Sequence, residues 1–208
     1  MQTIPVLMLD AGTGNLHSVF HTLKSLTDQI VISEKPEDVL IAERVILPGV
    51  GAFAQFMDGL RTKGLINPII DFIQSGKPIL GICVGMQALF EFSEEIGSHA
   101  GLGILPGSVK KFDEANNLKI PHTGWNQLWF DENDPLLNNI HPGDYVYFNH
   151  SYYCSPTNET DITATTDYGL DFCSVVHHNN IFGVQFHPEK SQKVGLKILN
   201  NFLSTKWM

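Results

Sequence analysis

A single cysteine stands between two glycines in the stretch GICVGMQ, residues 81–87. The apolar run PIL precedes it, so Cys83 falls where a strand-like segment changes into a helix-like one. A nucleophile at such a turn stands clear of the sheet, and the helix N-terminus favours its ionised form. The turn crowds positions two before and two after it, which favours glycine at Gly81 and Gly85. Cys83 is therefore a candidate nucleophile, although a lone cysteine is more often a buried, inert core residue.

The segment FHPEKS, residues 186–191, contains the partners that a thiol nucleophile needs. A thiol needs an imidazole to accept its proton, and the imidazole needs a hydrogen-bond acceptor that fixes its tautomer. His187 and Glu189 fit these two roles if the chain turns at Pro188, whose φ is fixed. By itself the pattern is weak, because a solvated loop after a strand is the simpler interpretation and the sequence has nine histidines.

Glycines also mark a candidate oxyanion site in RVILPGVGAF, residues 44–53. Backbone N–H groups in such a loop can bind a developing oxyanion, and glycine lets the backbone approach the substrate closely. Taken alone, the segment is more simply a turn between a strand and a helix.

The composition is that of an ordinary globular protein. The chain has 208 residues, of which 43% are hydrophobic and 17% charged, and this fits one α/β domain or at most two small ones. The formal net charge is −9 at pH 7. Such an acidic balance argues against nucleic acid or an anionic membrane as the main partner.

The number and spacing of the cysteines, together with the N-terminal residues, indicate the cellular compartment. Three cysteines without CxxC spacing argue against a disulfide framework or a zinc site and favour a reducing, cytoplasmic compartment. The opening MQTIPVLMLDAG has no basic region, so we expect a first strand and not a signal peptide. No apolar stretch approaches the roughly 20 residues that span a bilayer.

The elements that must position these motifs follow from the apolar pattern. Short apolar runs that lack clean alternation predict strands buried on both faces, at residues 4–9, 29–33, 44–48 and 77–82. Segments with a period near 3.6 lie between them, at residues 16–26, 36–42 and 52–74. Strands that alternate with helices predict βαβ units in a doubly wound parallel sheet.

The second half of the chain changes character. Strand-like composition with aromatics and turn residues occurs at 108–112, 118–130 and 144–153. Residues 172–176 and 181–186 predict a β-hairpin whose polar turn, HHNN, contains His177 and His178. A last helix is expected after Ser191 as N-cap, with one apolar stripe formed by Val194, Ile198, Leu199, Phe202 and Leu203. We expect a single α/β domain over residues 1–208 with an open mixed, largely parallel sheet flanked by helices.

Together and in this order, the three motifs resemble those of the class I glutamine amidotransferases, which have a Cys-His-Glu triad on an open, flavodoxin-like α/β sheet. GxCxGxQ with HPE is specific for that superfamily. PHxGWN and FxHSYY select the subfamily that provides the glutaminase subunit of imidazole glycerol phosphate synthase, in histidine biosynthesis. The resemblance covers essentially the whole chain through DAGTGN (10–15), PGVGAF (48–53), GICVGMQ (81–87), PHTGWN (121–126), YFNHSYY (147–153) and GVQFHPEKS (183–191).

The resemblance implies a role for each matching residue. Cys83 would be the nucleophile, His187 the general base and acid, and Glu189 the group that orients it. The implied oxyanion hole consists of backbone at Val50, Gly51 and Val84. The implied contacts to glutamine are Gln87, His150, Ser151 and Tyr152. The implied contacts to a partner subunit are Asn15, Trp125 and Lys190, which are as easily a turn residue, an anchored surface aromatic and a solvated lysine.

The same resemblance implies a heterodimer with a (β/α)₈-barrel cyclase that uses the ammonia, with no metal, no cofactor, no nucleic acid and no membrane. Three alternatives stay open. A paralogue would supply ammonia to another acceptor such as a surface sugar, a stand-alone enzyme would be a cysteine hydrolase, and a non-catalytic subunit would only support its partner. Outside the motifs, Cys154 and Cys173 are expected in the core, and residues 93–98 as a helix end and loop.

Overall fold

The computed structural model describes residues 3–13, 16–113, 118–131 and 134–205. Strands and helices alternate through the first half, as the apolar pattern predicts. These elements are β1 (Val6–Leu9), α1 (Leu16–Lys24), β2 (Ile30–Ser33), α2 (Pro36–Ile41), β3 (Val45–Gly49), α3 (Phe53–Thr62), α4 (Ile66–Gln74), β4 (Ile79–Cys83) and α5 (Val84–Gln87). The second half contains β5 (Phe90–Ser93), β6 (His99–Ala100), β7 (Leu105–Lys111), β8 (His122–Gln127), β9 (Tyr145–His150), β10 (Tyr152–Pro156), β11 (Ile162–Asp167), β12 (Asp171–His178), β13 (Ile181–Val184) and α6 (Gln192–Ser204).

One large sheet organises the described residues, in the order β2-β1-β3-β4-β13-β12-β10-β7-β5-β6, with β11 beside β12. The strands from β2 to β13 pair in parallel. Beyond β13 the pairing is mostly antiparallel, although β5 and β7 are parallel. This architecture confirms the predicted open, mixed α/β sheet flanked by helices.

The central parallel strands are buried along their whole length. Every residue of β1, β3, β4 and β13 is buried. A strand that is covered by helices on both faces needs apolar residues at successive positions, which explains the runs without alternation. At the edge of the sheet, β2 is less covered, and Val31 and Ile32 are exposed.

The helical segment expected at 52–74 is two helices. The break falls at Gly64, which has a φ of 68° in the left-handed region. A glycine in this conformation ends a helix at low steric cost, so α3 stops at Thr62 and α4 starts at Ile66.

The strand-like segment 144–153 also divides into two elements. The break is at Ser151, between β9 and β10. β9 pairs with β8 in a separate two-stranded sheet, whereas β10 joins the main sheet between β7 and β12. The segment therefore bends from one sheet into the other within the motif YFNHSYY.

The predicted hairpin is present, but its turn is shorter than expected. β12 continues through His177 and His178, which pair with Phe182 and Ile181. The expectation that both histidines lie in the turn is therefore wrong. A two-residue connection remains, in which Asn179 has a φ of 55°, and asparagine is favoured in such tight turns.

The last helix turns the predicted apolar stripe to the core: Ile198, Leu199 and Phe202 are fully covered, whereas Val194 and Leu203 are half-buried. Ser191 does precede this helix, but its hydroxyl makes no capping bond. It donates to the His187 carbonyl at 2.7 Å and accepts from the Tyr147 N–H at 2.9 Å. Its role is thus to tie the residues after β13 to β9. Among the described helices, none is long and apolar enough to cross a membrane.

Candidate active site

Three neighbouring parallel strands carry the three sequence motifs at their carboxyl ends. β4 lies between β3 and β13, with Gly49 opposite Cys83 on one side and Val184 opposite Ile82 on the other. PGVG therefore follows one neighbour of the nucleophile strand, and FHPE follows the other. The carboxyl ends of parallel strands are where open α/β sheets bind their ligands.

Cys83 occupies a strained turn that its two glycines make possible. It has a φ of 55° and a ψ of −111°, a conformation that is rare for a residue with a side chain. A Cβ atom at Gly81 would lie 2.6 Å from the Gly85 carbonyl oxygen. A Cβ atom at Gly85 would lie 1.8 Å from the Leu47 carbonyl oxygen. The crowding that the sequence pattern implies is therefore present on both sides of the cysteine.

The helix after the cysteine is shorter than expected. α5 has four residues, and the chain re-enters the sheet at Phe90. A macrodipole needs several turns of aligned peptides, so one turn contributes little to stabilising a thiolate. The groups that contact the sulfur directly must carry this role.

His187 and Glu189 form a buried pair beside Cys83. His187 Nδ1 lies 2.9 Å from Glu189 Oε1, and both side chains are almost fully covered. A carboxylate accepts hydrogen bonds, so Nδ1 carries the hydrogen and Nε2 is the nitrogen available to the thiol. The tight turn Pro188–Lys190 brings the glutamate back against the imidazole.

The surroundings of His187 favour its protonated form. Burial alone lowers the pKa of His187, but hydrogen bonds with Cys83 and Glu189, together with their negative charges, raise it well above the ordinary value. A protonated imidazole next to the sulfur stabilises a thiolate by charge attraction. The arrangement therefore suits a thiol nucleophile with a proton donor beside it.

A cleft of about 370 Å³ opens at Cys83. The predicted oxyanion residues and the predicted glutamine contacts lie around it together with His187. Its lining consists of Val50, Gly51, Cys83, Val84, Gln87, Glu95, Pro121, Asn149, His150, Ser151, Tyr152, His187 and Lys190. A cleft of this size accommodates an amino-acid substrate.

Glu95 is a cleft residue that sequence reasoning missed. It lies after β5, where a helix end and loop were expected; the helix end is wrong, because residues 90–93 form a strand of the main sheet. Its Oε2 accepts a hydrogen bond from the N–H of Phe53 at the start of α3. It therefore ties this loop to the segment that follows PGVG. An acidic residue in a loop has no spacing that distinguishes it from a solvated one, so the sequence carried no signal for this role.

A chain of hydrogen bonds, in which each donor and acceptor can be assigned, supports the cleft wall at Tyr152. Its carbonyl oxygen accepts from His150 Nδ1 at 2.8 Å and from Gln87 Nε2 at 3.1 Å. A carbonyl only accepts, so His150 Nδ1 is protonated and Nε2 must accept from His122 Nδ1, 3.0 Å away. His122 Nε2 in turn accepts from the amide of Asn126 at 3.3 Å.

Both histidines of this set are neutral. Burial lowers the pKa of His122 to about 4 and that of His150 to about 3. His150 lines the cleft, as predicted for a substrate contact, but both of its ring nitrogens are bonded to protein groups. The ring therefore holds the Tyr152 carbonyl in place.

Two of the three predicted partner residues, Trp125 and Lys190, lie at or near the cleft. Trp125 is 45% exposed, and its ring meets that of Tyr147 edge to face with 6.0 Å between centroids. Lys190 places its Nζ 5.5 Å from the Tyr147 ring centroid, a cation–π contact. Asn15 lies outside the described residues. The rim of the cleft is thus an aromatic and basic surface formed by β8, β9 and the turn after β13.

A second group of histidines lies away from this cleft. His177 contacts Asp134 at 2.6 Å, and His178 contacts Asp161 at 2.8 Å. Burial lowers the pKa of His177, but its bond to Asp134 and the charge of that group raise it overall. A depression of about 570 Å³ beside Asp134 has no cysteine or histidine among its described lining residues. These pairs anchor loops to β12, and the nucleophile chemistry is confined to the smaller cleft.

An open, mixed α/β sheet with a cysteine, a histidine and a glycine-rich loop at the ends of three adjacent strands has the architecture of a class I glutamine amidotransferase. The model for the family "Glutamine amidotransferase class-I" matches residues 7–205. The chain belongs to this family.

Within the family, the chain is similar to proteins named imidazole glycerol phosphate synthase subunit HisH. The protein from Geobacter metallireducens is 46% identical over 206 residues, which cover 97% of this chain and 98% of that protein. The protein from Acaryochloris marina is also 46% identical, over 95% of this chain and 93% of its own length.

Solved structures show the same fold at low sequence identity. A glutamine amidotransferase crystal structure superposes with a TM-score of 0.74 at 17% identity and covers 96% of this chain and 99% of its own. The structure of PurLQS from Thermotoga maritima gives a TM-score of 0.72 at 19% identity, over 97% of this chain and 98% of its own.

Proposed function

We propose that this chain is the glutaminase subunit of an imidazole glycerol phosphate synthase. It hydrolyses glutamine to glutamate and ammonia and passes the ammonia to a (β/α)₈-barrel cyclase, its partner in a cytoplasmic heterodimer. The observation that carries the proposal is the contact between Cys83, His187 and Glu189 at the cleft, in a chain 46% identical to HisH proteins along almost its full length. The whole chain acts as one domain and needs no cofactor for this chemistry.

The first half-reaction forms a thioester. The Cys83 sulfur attacks the side-chain carboxamide carbon of glutamine, and the carbonyl oxygen becomes an oxyanion bound by backbone N–H groups at Val50, Gly51 and Val84. Protonated His187 gives its proton to the amide nitrogen, the C–N bond breaks, and ammonia leaves. Glu189 holds the imidazole in the tautomer that this step requires.

The second half-reaction regenerates the thiol. Neutral His187 removes a proton from a water molecule, whose oxygen attacks the thioester carbon. The C–S bond breaks, glutamate leaves, and the sulfur again pairs with protonated His187. The same imidazole is thus the acid of the first step and the base of the second.

The cleft offers distinct groups for the two ends of glutamine. The Glu95 carboxylate lines the cleft and complements the α-ammonium group of the substrate. Backbone groups of Ser151 and Tyr152 lie on the opposite wall, and the bonds from Gln87 and His150 keep the Tyr152 peptide in one orientation. These contacts hold the carboxamide within reach of Cys83.

The exposed surface next to the cleft is the docking site for the cyclase. Trp125 and Lys190 lie on it, and Asn15 is assigned to it by the family resemblance. Ammonia released at the cleft would be protonated in bulk water, so a covered exit into the partner preserves its reactivity.

The test compares glutamine and ammonium salt as nitrogen sources. With the cyclase subunit and its ribonucleotide substrate, wild type should form imidazole glycerol phosphate from either source. The Cys83→Ala complex should use only ammonium salt at alkaline pH. Glutamate release without coupled product in an intact complex would instead indicate another acceptor, and full turnover without any partner would indicate a stand-alone hydrolase.

A further inference from the structure

Gln185 is a buried polar residue that neither the triad nor the implied glutamine contacts include. It follows β13, two residues before His187, and its side chain is completely covered. Its backbone N–H donates to the Ser174 carbonyl at 2.9 Å, which continues the pairing with β12. Its side-chain amide lies between Gln87 and the nucleophile.

The orientation of this amide follows from its neighbours. Gln87 Nε2 donates to the Tyr152 carbonyl oxygen, which can only accept, and the same nitrogen lies 3.1 Å from Gln185 Oε1. The end of Gln185 that faces Gln87 must therefore be its oxygen. The other end, Nε2, lies 3.7 Å from Cys83 Sγ and presents an N–H to it.

An N–H donor at a buried sulfur stabilises the thiolate more than the thiol, because the charged form is the stronger acceptor. The single-turn helix α5 adds little of this stabilisation. We propose that Gln185 is a further catalytic residue, whose amide N–H holds the Cys83 sulfur in place and stabilises it as a thiolate. The inference rests on the proposed function only in taking Cys83 as the nucleophile.

Two substitutions of Gln185 test the contribution of its amide N–H separately from the packing of its side chain. Gln185→Met removes the amide and keeps most of the volume. Gln185→Glu keeps an acceptor for Gln87 but places a carboxylate against the sulfur. The matched control is Ser174→Ala, which alters a fully buried side chain on the adjoining strand whose hydroxyl makes no hydrogen bond.

The readout is the pH dependence of Cys83 alkylation by iodoacetamide in the full-length chain, with the modified residue identified by mass spectrometry. Gln185→Met should raise the midpoint by about one pH unit, since a hydrogen bond to a charged group is of that strength. Gln185→Glu should raise it further through charge repulsion, and Ser174→Ala should leave it unchanged. Folded Gln185 variants with the wild-type midpoint would overturn the proposal.

An NMR titration of the unmutated chain makes the test independent of variant folding. The Gln185 side-chain amide signals should shift with the same midpoint as Cys83 alkylation, and signals that stay constant would overturn the proposal. Glutamine turnover is measured in parallel. A wild type that fails to hydrolyse glutamine, alone or with the cyclase, would refute the proposed function and leave the alkylation result standing.

Discussion

The reactivity of Cys83 depends on the groups around its sulfur. Cys154 and Cys173 are equally buried, but they lie opposite each other on β10 and β12. Burial raises the pKa of both thiols. Cys83 instead has His187 and the Gln185 amide beside its sulfur, and it lines the cleft, so it combines polar partners with access to a substrate.

Replacing Cys83 should remove activity and spare the fold. In Cys83→Ala the nucleophile is lost, so glutamate release should fall to background, while the free energy of unfolding in urea stays close to that of wild type. The matched control is Cys154→Ala, a core substitution that should cost about 1–2 kcal/mol of stability and keep the activity. A Cys83→Ala protein that unfolds readily, or that retains glutaminase activity, would argue that this thiol is only a packing residue.

At the scale of elements, close backbone contact between strands creates the site. β3, β4 and α5 meet so tightly at Gly85 that no side chain fits there. The antiparallel pair β8 and β9 forms the opposite wall and carries His122 and His150. The strands therefore determine both the turn at the nucleophile and the polar wall facing it.

Gly85→Ala should disrupt the turn. Its Cβ would lie 1.8 Å from the Leu47 carbonyl oxygen, and the atoms it meets are backbone atoms of β3, which cannot move aside as a flexible side chain would. We expect a loss of about 3 kcal/mol or more in urea unfolding, together with loss of glutaminase activity. Gly64→Ala is the control, since its φ of 68° is unfavourable for alanine but its nearest contact is the Pro36 side chain at 3.8 Å. It should cost about 1–2 kcal/mol and leave turnover intact.

The buried histidines of β8 and β9 should make stability fall in mild acid. Folded His122 and His150 have pKa values of about 4 and about 3, whereas an unfolded histidine titrates near 6.5. The unfolded state thus binds more protons as the pH falls below about 6.5, and unfolding becomes easier by up to about 1.4 kcal/mol per pH unit for each group. His187 acts in the opposite sense, because its raised pKa adds stability below about pH 6.5 that is lost as the pH rises through its folded value.

Urea unfolding between pH 7 and pH 4.5 measures this slope. His122→Asn should reduce it, although the variant is less stable overall. His141→Asn changes an exposed histidine and should leave the slope as in wild type. Equal slopes in all three proteins would show that the acid sensitivity originates elsewhere.

At the scale of the whole molecule, the cleft is continuous with the surface that we propose for the partner. Val50, Gly51 and Lys190 all line the cleft, and Lys190 also contacts Tyr147 on the exposed rim. A partner that binds the rim therefore acts close to the oxyanion segment. A PGVG strand can present either a carbonyl or an N–H to the substrate, and only the N–H stabilises the oxyanion.

We therefore predict that the isolated chain is a poor glutaminase that its partner activates. Gain of one oxyanion donor through a peptide flip at Val50 corresponds to a rate increase on the order of 10²–10³. The measurement is glutamine turnover by the chain alone, with the cyclase, and with the cyclase plus its ribonucleotide ligand. Equal rates under all three conditions would contradict activation by the partner. Lys190→Met should weaken the activation without abolishing basal turnover.

Local patterns in the sequence determined the class of fold and the candidate nucleophile. The glycines around Cys83, the histidine and glutamate at 187 and 189, and the uninterrupted apolar runs each reflect a constraint that acts within a few residues. Such constraints can be recognised in the sequence, because steric crowding in a turn and burial of a strand on both faces restrict the amino acids allowed at each position.

Only the tertiary structure decided the remainder of the site. Gln185 and Cys83 are 102 residues apart in sequence, and Glu95 is 42 residues from the Phe53 N–H that it accepts. Whether α5 continues, where β9 gives way to β10, and which way the Gln185 amide points depend on the order of strands in the sheet. The direction of each hydrogen bond depends on the donors and acceptors around it. Folding brings these groups together from distant segments, and the local sequence of one segment does not reveal which others it will contact.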